Sequence, residues 1–97
     1  MPDLYQTLQQ KKQRILEIAS QYHASNVRVF GSVVHNAERE DSDIDLLVDF
    51  EPGSTLYDQA GMIEALVVVL GRRVDVVSER ALNKHLRQRV LQEAQPL

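Results

Sequence analysis

The chain has 97 residues, of which 43% are hydrophobic and 26% charged, with no cysteine and a formal net charge of −3. These values describe an ordinary folded chain with one hydrophobic core, and they exclude a disordered, collagen-like or coiled-coil protein. Disulfides, zinc–thiolate sites and thiol nucleophiles are excluded with them. The longest apolar run, Ala65 to Leu70, is too short to span a bilayer. The N-terminal segment has no apolar stretch of the kind a secretory signal needs, so a cytoplasmic protein without a membrane partner is expected.

In chain order, Asp3 to about Tyr22 predicts one amphipathic helix. Leu4, Leu8, Ile15, Ile18, Ala19 and Tyr22 recur at helical spacing among Gln, Lys and Arg. Asn26 to Phe30 is a short strand, stopped at Gly31-Ser32. Residues 33–37 fit a single helical turn, and Glu38 to Ser42 a loop. From Asp43 to Phe50 the alternation puts Ile44, Leu46, Val48 and Phe50 on one face and Asp43, Asp45, Leu47 and Asp49 on the other. Thr55 can cap a helix running to Leu70, with Gly71 as its stop. Arg73 to Val77 is a third strand. Ser78 caps a final helical region carrying Leu82, Leu86, Val90 and Leu91. The expected fold is α/β (α+β), a single domain over residues 1–97 with a small mixed sheet of at least three strands and helices packed on it.

Charge is unevenly distributed. Six acids and one base, Arg39, lie between Glu38 and Asp49. Such a cluster repels itself unless it is solvated or binds cations. A negative chain with five aromatic residues and no Trp does not suit direct nucleic-acid binding.

Ahead of this acidic stretch stands Gly31-Ser32, followed after ten residues by Asp43-Ile44-Asp45. Each half alone is common, but the joint pattern has a composition-based expectation of roughly one in a thousand. Two aspartates two apart on a strand send both carboxylates to the same face. They repel unless a cation lies between them, and Mg²⁺ binds through one or two carboxylates plus substrate phosphates. A glycine at a strand end lets the backbone approach a phosphate, and Ser32 adds a hydroxyl and an amide donor. Asp75 interrupts the apolar strand Arg73 to Val77, where Asp is intrinsically unfavourable, and it points away from the core. With strand three beside strand two, Asp75 joins Asp43 and Asp45. Three carboxylates and a phosphate-holding turn describe phosphoryl or nucleotidyl transfer. On their own, Asp43 and Asp45 most often describe a solvated strand face, and the reading of Asp75 depends on theirs.

Val29-Phe30-Gly31-Ser32 with Asp43-Ile44-Asp45-Leu46-Leu47-Val48 resembles the minimal nucleotidyltransferases of the polymerase-β-like superfamily. Leu70-Gly71-Arg72-Arg73-Val74-Asp75-Val76-Val77 and Arg89 to Ala94 are similar to that family's third-carboxylate strand and C-terminal helix. The resemblance implies the polymerase-β-like nucleotidyltransferase fold and a protein adenylyltransferase. It would transfer AMP from ATP to a tyrosine hydroxyl of a HEPN-type ribonuclease toxin and so act as its antitoxin. Carried over, Asp43, Asp45 and Asp75 are the catalytic, metal-binding residues for two Mg²⁺ ions, and Gly31 and Ser32 bind the nucleotide. Val33-Val34-His35-Asn36 departs from the family, which has an Arg-Gly sequence there. His35 therefore stands between a phosphate contact and a plain surface position. The departure keeps a second function open, an antitoxin that neutralises its partner by steric binding alone. A small-molecule nucleotidyltransferase is disfavoured because no acceptor-binding domain is present. Asp49 is expected at the surface, His23 and His85 as ordinary helix residues, and Arg72-Arg73 as a cationic helix end.

Overall fold

A computed structural model describes residues 4–31 and 43–97. Two helices open the chain, α1 (Leu4–Gln10) and α2 (Lys12–Gln21), followed by strand β1 (Ala24–Phe30). Next come β2 (Ile44–Phe50), helix α3 (Leu56–Leu70), β3 (Val74–Ser78), a 3₁₀ turn (Glu79–Ala81), α4 (Lys84–Glu93) and β4 (Gln95–Pro96).

The single N-terminal helix expected from periodicity is broken at Lys11, which has φ −98° and ψ 10°. Between Leu8 and Ile15 no residue is buried, so no apolar contact holds the helix straight there. Instead Lys11 reaches across and donates from Nζ to the Val69 carbonyl at 3.2 Å, close to the C-terminus of α3. Basic groups are favourable at such an end.

The sheet order is β3-β2-β1-β4. β2 runs antiparallel to β1 and parallel to β3. A parallel neighbour requires a crossover, and α3 supplies it. That helix is bounded as its sequence predicts: the Asp58 carboxylate accepts from the Thr55 N–H at 2.9 Å, and Gly71 adopts φ +70°. β4 is an addition to the three expected strands. Its two residues pair with Arg28 and Val29 of β1, and the Leu97 N–H donates to the Val27 carbonyl at 3.0 Å. The last helix begins later than expected, because Ser78 enters the 3₁₀ turn and Asn83 caps α4 by accepting from the Leu86 N–H.

The core gathers on one face of the sheet. Val29, Ile44, Leu46, Val48 and Val76 meet Leu8, Ile15 and Ile18 of the first two helices and Met62 and Leu66 of α3. Each such side chain contributes about 1.5–3 kcal/mol when fully buried. Within the apolar run of α3, Leu66 is buried while Val68 is 83% exposed. Among the apolar residues of α4, Val90 is buried, whereas Leu86 and Leu91 are exposed. No helix among the described residues is long and apolar enough to cross a membrane. The other face of the sheet carries Asp45, with Leu47 and Asp49 following it at alternate positions.

Candidate active site

Register decides the centre of the site. Asp45 of β2 lies opposite Asp75 of β3, and on its other side opposite Phe30 of β1. Cross-strand partners share a face, so the two carboxylates leave the sheet together, away from the core. Asp75 is exposed and Asp45 half-buried. Burial, the Asp75 charge and the Asp43 charge, in that order, push the Asp45 carboxyl above its ordinary pKa. The aspartates that the sequence singled out thus form one electrostatic cluster.

Gly31 follows Phe30 at the end of β1 with φ +77°, in the left-handed region that suits glycine. A β-carbon there would collide with the Asp45 carboxylate. The turn therefore lies against the carboxylate itself. Ser32 and the segment Val33 to Asn36, including the helical turn expected at 33–37, lie outside the described residues.

Asp43 sits one residue before β2, half-exposed, with its Oδ1 at 3.0 Å from Nε of Arg73. Among the described residues no three His, Asp or Glu side chains converge on one point as a metal cage. The donor set nonetheless fits a hard cation: Mg²⁺ keeps several waters and needs only one or two carboxylates when substrate phosphates complete its shell. The raised Asp45 marks a group of carboxylates that a bound cation would stabilise, and Gly31 brings the turn after β1 against that same carboxylate.

Asp49, expected at the surface, keeps 40% of its side chain exposed and accepts from Asn26 Nδ2 at 3.0 Å and from Arg28 Nη2 at 3.1 Å. Arg28 is 9% exposed and also donates to Glu79 at 3.1 Å. A cavity of about 390 Å³ adjoins this network, lined by Asp49, Phe50, Ser78, Glu79, Arg80 and Arg87. It lies at the C-terminal ends of β2 and β3, the ends opposite the aspartate cluster. His23 is not helical; it has φ +65° and its Nδ1 lies 3.3 Å from Asp58 Oδ1. The contact of Arg73 with Asp43 has no signal in the sequence, because Arg72-Arg73 follows a helix and reads as its cationic end.

Residues 12–97 match the nucleotidyltransferase domain family. The chain belongs to that family. Protein adenylyltransferase MntA of Thermococcus cleftensis is 38% identical over 77 residues, which cover 79% of this chain and 78% of that one. A relative in Methanocaldococcus jannaschii, named as a candidate protein adenylyltransferase, is 36% identical over 83 residues, covering 86% and 89% of the two chains. A solved minimal nucleotidyltransferase superposes with a TM-score of 0.86 at 51% identity over 95% of this chain and 94% of its own. A toxin–antitoxin structure with AMP-PNP shares the fold, with a TM-score of 0.75 at 21% identity over 88% and 70% of the chains. This nucleotidyltransferase is thus an enzyme whose relatives carry the name of protein adenylyltransferases, and its mixed sheet with flanking helices is that of the minimal nucleotidyltransferases.

Proposed function

We propose that this nucleotidyltransferase transfers AMP from ATP to a tyrosine hydroxyl of a HEPN-type ribonuclease toxin, acting as its antitoxin in the cytoplasm. Support comes from the adenylyltransferase relatives and from the fold shared with toxin–antitoxin structures, one of them with AMP-PNP and one an MntA-HepT pair. The observation that carries the reading is the Asp45–Asp75 pairing with Gly31 against it.

In this reading Asp43, Asp45 and Asp75 hold Mg²⁺, which when bound neutralises phosphate charge and assists ionisation of the acceptor. Gly31 and Ser32 hold the triphosphate through the backbone and the hydroxyl. The acceptor oxygen forms its bond to the α-phosphorus as the bond between the α-phosphorus and the bridging oxygen breaks, and pyrophosphate leaves. Asp75, the exposed carboxylate on the edge strand, takes the hydroxyl proton.

The departure at Val33-Val34-His35-Asn36 favours one alternative, neutralisation by binding alone. Intact mass spectrometry of a co-expressed toxin separates the two. The wild-type chain should add AMP to its partner only with Mg²⁺ present. Asp75→Asn should keep the complex but leave the partner unmodified and toxic. Full protection by Asp75→Asn, with an unmodified partner in the wild-type complex, would establish the steric reading instead.

A further inference from the structure

Beside the rung that pairs Asp45 with Asp75 lies a second one. The Ile44 N–H donates to the Arg73 carbonyl at 2.9 Å, and continuing the β2–β3 register by one residue sets Asp43 opposite Arg73. The first rung opposes two like charges; the second opposes unlike ones, with Arg73 Nε 3.0 Å from Asp43 Oδ1. Both side chains are open, 78% exposed for Arg73 and 48% for Asp43. An ion pair so exposed contributes little to folding. Its position is more informative than its strength. Three carboxylates at one strand end repel a polyphosphate, and Arg73 brings a fixed positive charge into contact with one of them. A guanidinium presents a planar fork of five donors that suits phosphate oxygens as well as carboxylates, and it stays charged at every accessible pH.

We propose that Arg73 is a polyphosphate-binding residue that also serves as the resting counter-ion of Asp43. It holds the Asp43 carboxylate in place before nucleotide arrives, and it turns to the triphosphate when Asp43 engages a cation. This rests on the reading that Asp43, Asp45 and Asp75 form the nucleotide site.

The test is calorimetry on the full chain with two probes, inorganic tripolyphosphate with Mg²⁺ and Mn²⁺ alone. Arg73→Ala should weaken tripolyphosphate binding about tenfold, the scale of one lost charge-assisted contact. Arg73→Lys, which keeps the charge, should recover most of that affinity. Mn²⁺ alone should bind Arg73→Ala as tightly as wild type or more tightly, because Asp43 no longer has a competing cation. If Arg73→Ala binds tripolyphosphate like wild type, or binds Mn²⁺ more weakly, the proposal is overturned while the nucleotidyl-transfer reading stands. If wild type itself binds no tripolyphosphate, the underlying site assignment fails first, and the role given to Arg73 falls with it.

Discussion

Asp45 and Asp75 are register partners on the parallel strands β2 and β3, and the half-buried Asp45 carboxyl is pushed above its ordinary pKa by burial and by its neighbours. An enzyme that collects like charges in this way gives up folding stability for function. Asp45→Asn should therefore raise the thermal midpoint near neutral pH. On the proposed function, in which Asp45 helps to hold the metal, the same variant should lower AMP transfer by more than about a hundredfold. Thermal melts paired with labelling by α-labelled ATP check both arms; a lowered midpoint would contradict the charge argument.

Gly31 combines φ +77° with contact between its would-be β-carbon and Asp45. Gly31→Ala should cost about 1–2 kcal/mol from the left-handed backbone alone, more if Asp45 cannot move aside. Gly31→Val should eliminate labelling of the partner, and Ser32→Ala should weaken it less. Urea unfolding and transfer assays on the same preparations separate lost folding from lost chemistry. Undiminished labelling by folded Gly31→Val would remove the turn from the site.

Asp49 offers a pH signature away from the reaction centre. Burial by itself would raise its pKa, but the Asn26 hydrogen bond and the Arg28 charge outweigh burial and hold it below the ordinary value. A carboxyl with a depressed folded pKa stabilises the protein above its unfolded pKa, and that stability is lost as pH falls through the folded one. Asp49→Asn should therefore be less stable than wild type at neutral pH. The difference should close as both are titrated below the carboxylate range. Urea midpoints as a function of pH provide the measurement, and a gap independent of pH would refute it.

Gly61 lies on α3 where a β-carbon would run into the Tyr22 ring at the end of α2. Alanine gains about 1 kcal/mol of helix propensity over glycine, but overpacking costs typically about 1–3 kcal/mol. Gly61→Ala should be net destabilising in the wild-type background and stabilising once Tyr22→Ala has cleared the space. A double-mutant cycle by urea unfolding reads the coupling directly.

Local features of the chain were legible because they depend on short-range rules. Helical spacing and the residues Thr55 and Gly71 bound α3; alternation from Ile44 to Phe50 separated core from carboxylates; Gly31 and Asp45, singled out by the joint spacing of Gly31-Ser32 with Asp43-Ile44-Asp45, meet in the fold. Asp75 could be singled out because an aspartate among valines runs against strand preference.

What escaped the sequence depended on which segment met which. The break at Lys11 follows from the absence of buried contacts between Leu8 and Ile15, together with a carbonyl of α3 within reach. β4 consists of two residues, Gln95 and Pro96, that carry no strand pattern and become a strand by pairing with β1. Asn26, Arg28, Asp49 and Glu79 are ordinary polar residues in sequence, and only the fold brings them together around a buried guanidinium. The same holds for Arg73, which meets Asp43 because the parallel register brings the starts of β2 and β3 side by side. Periodicity reports which face a side chain takes along its own strand or helix. Strand order, parallel or antiparallel pairing and register are chosen by the simultaneous burial of many distant side chains, and no local pattern contains that sum.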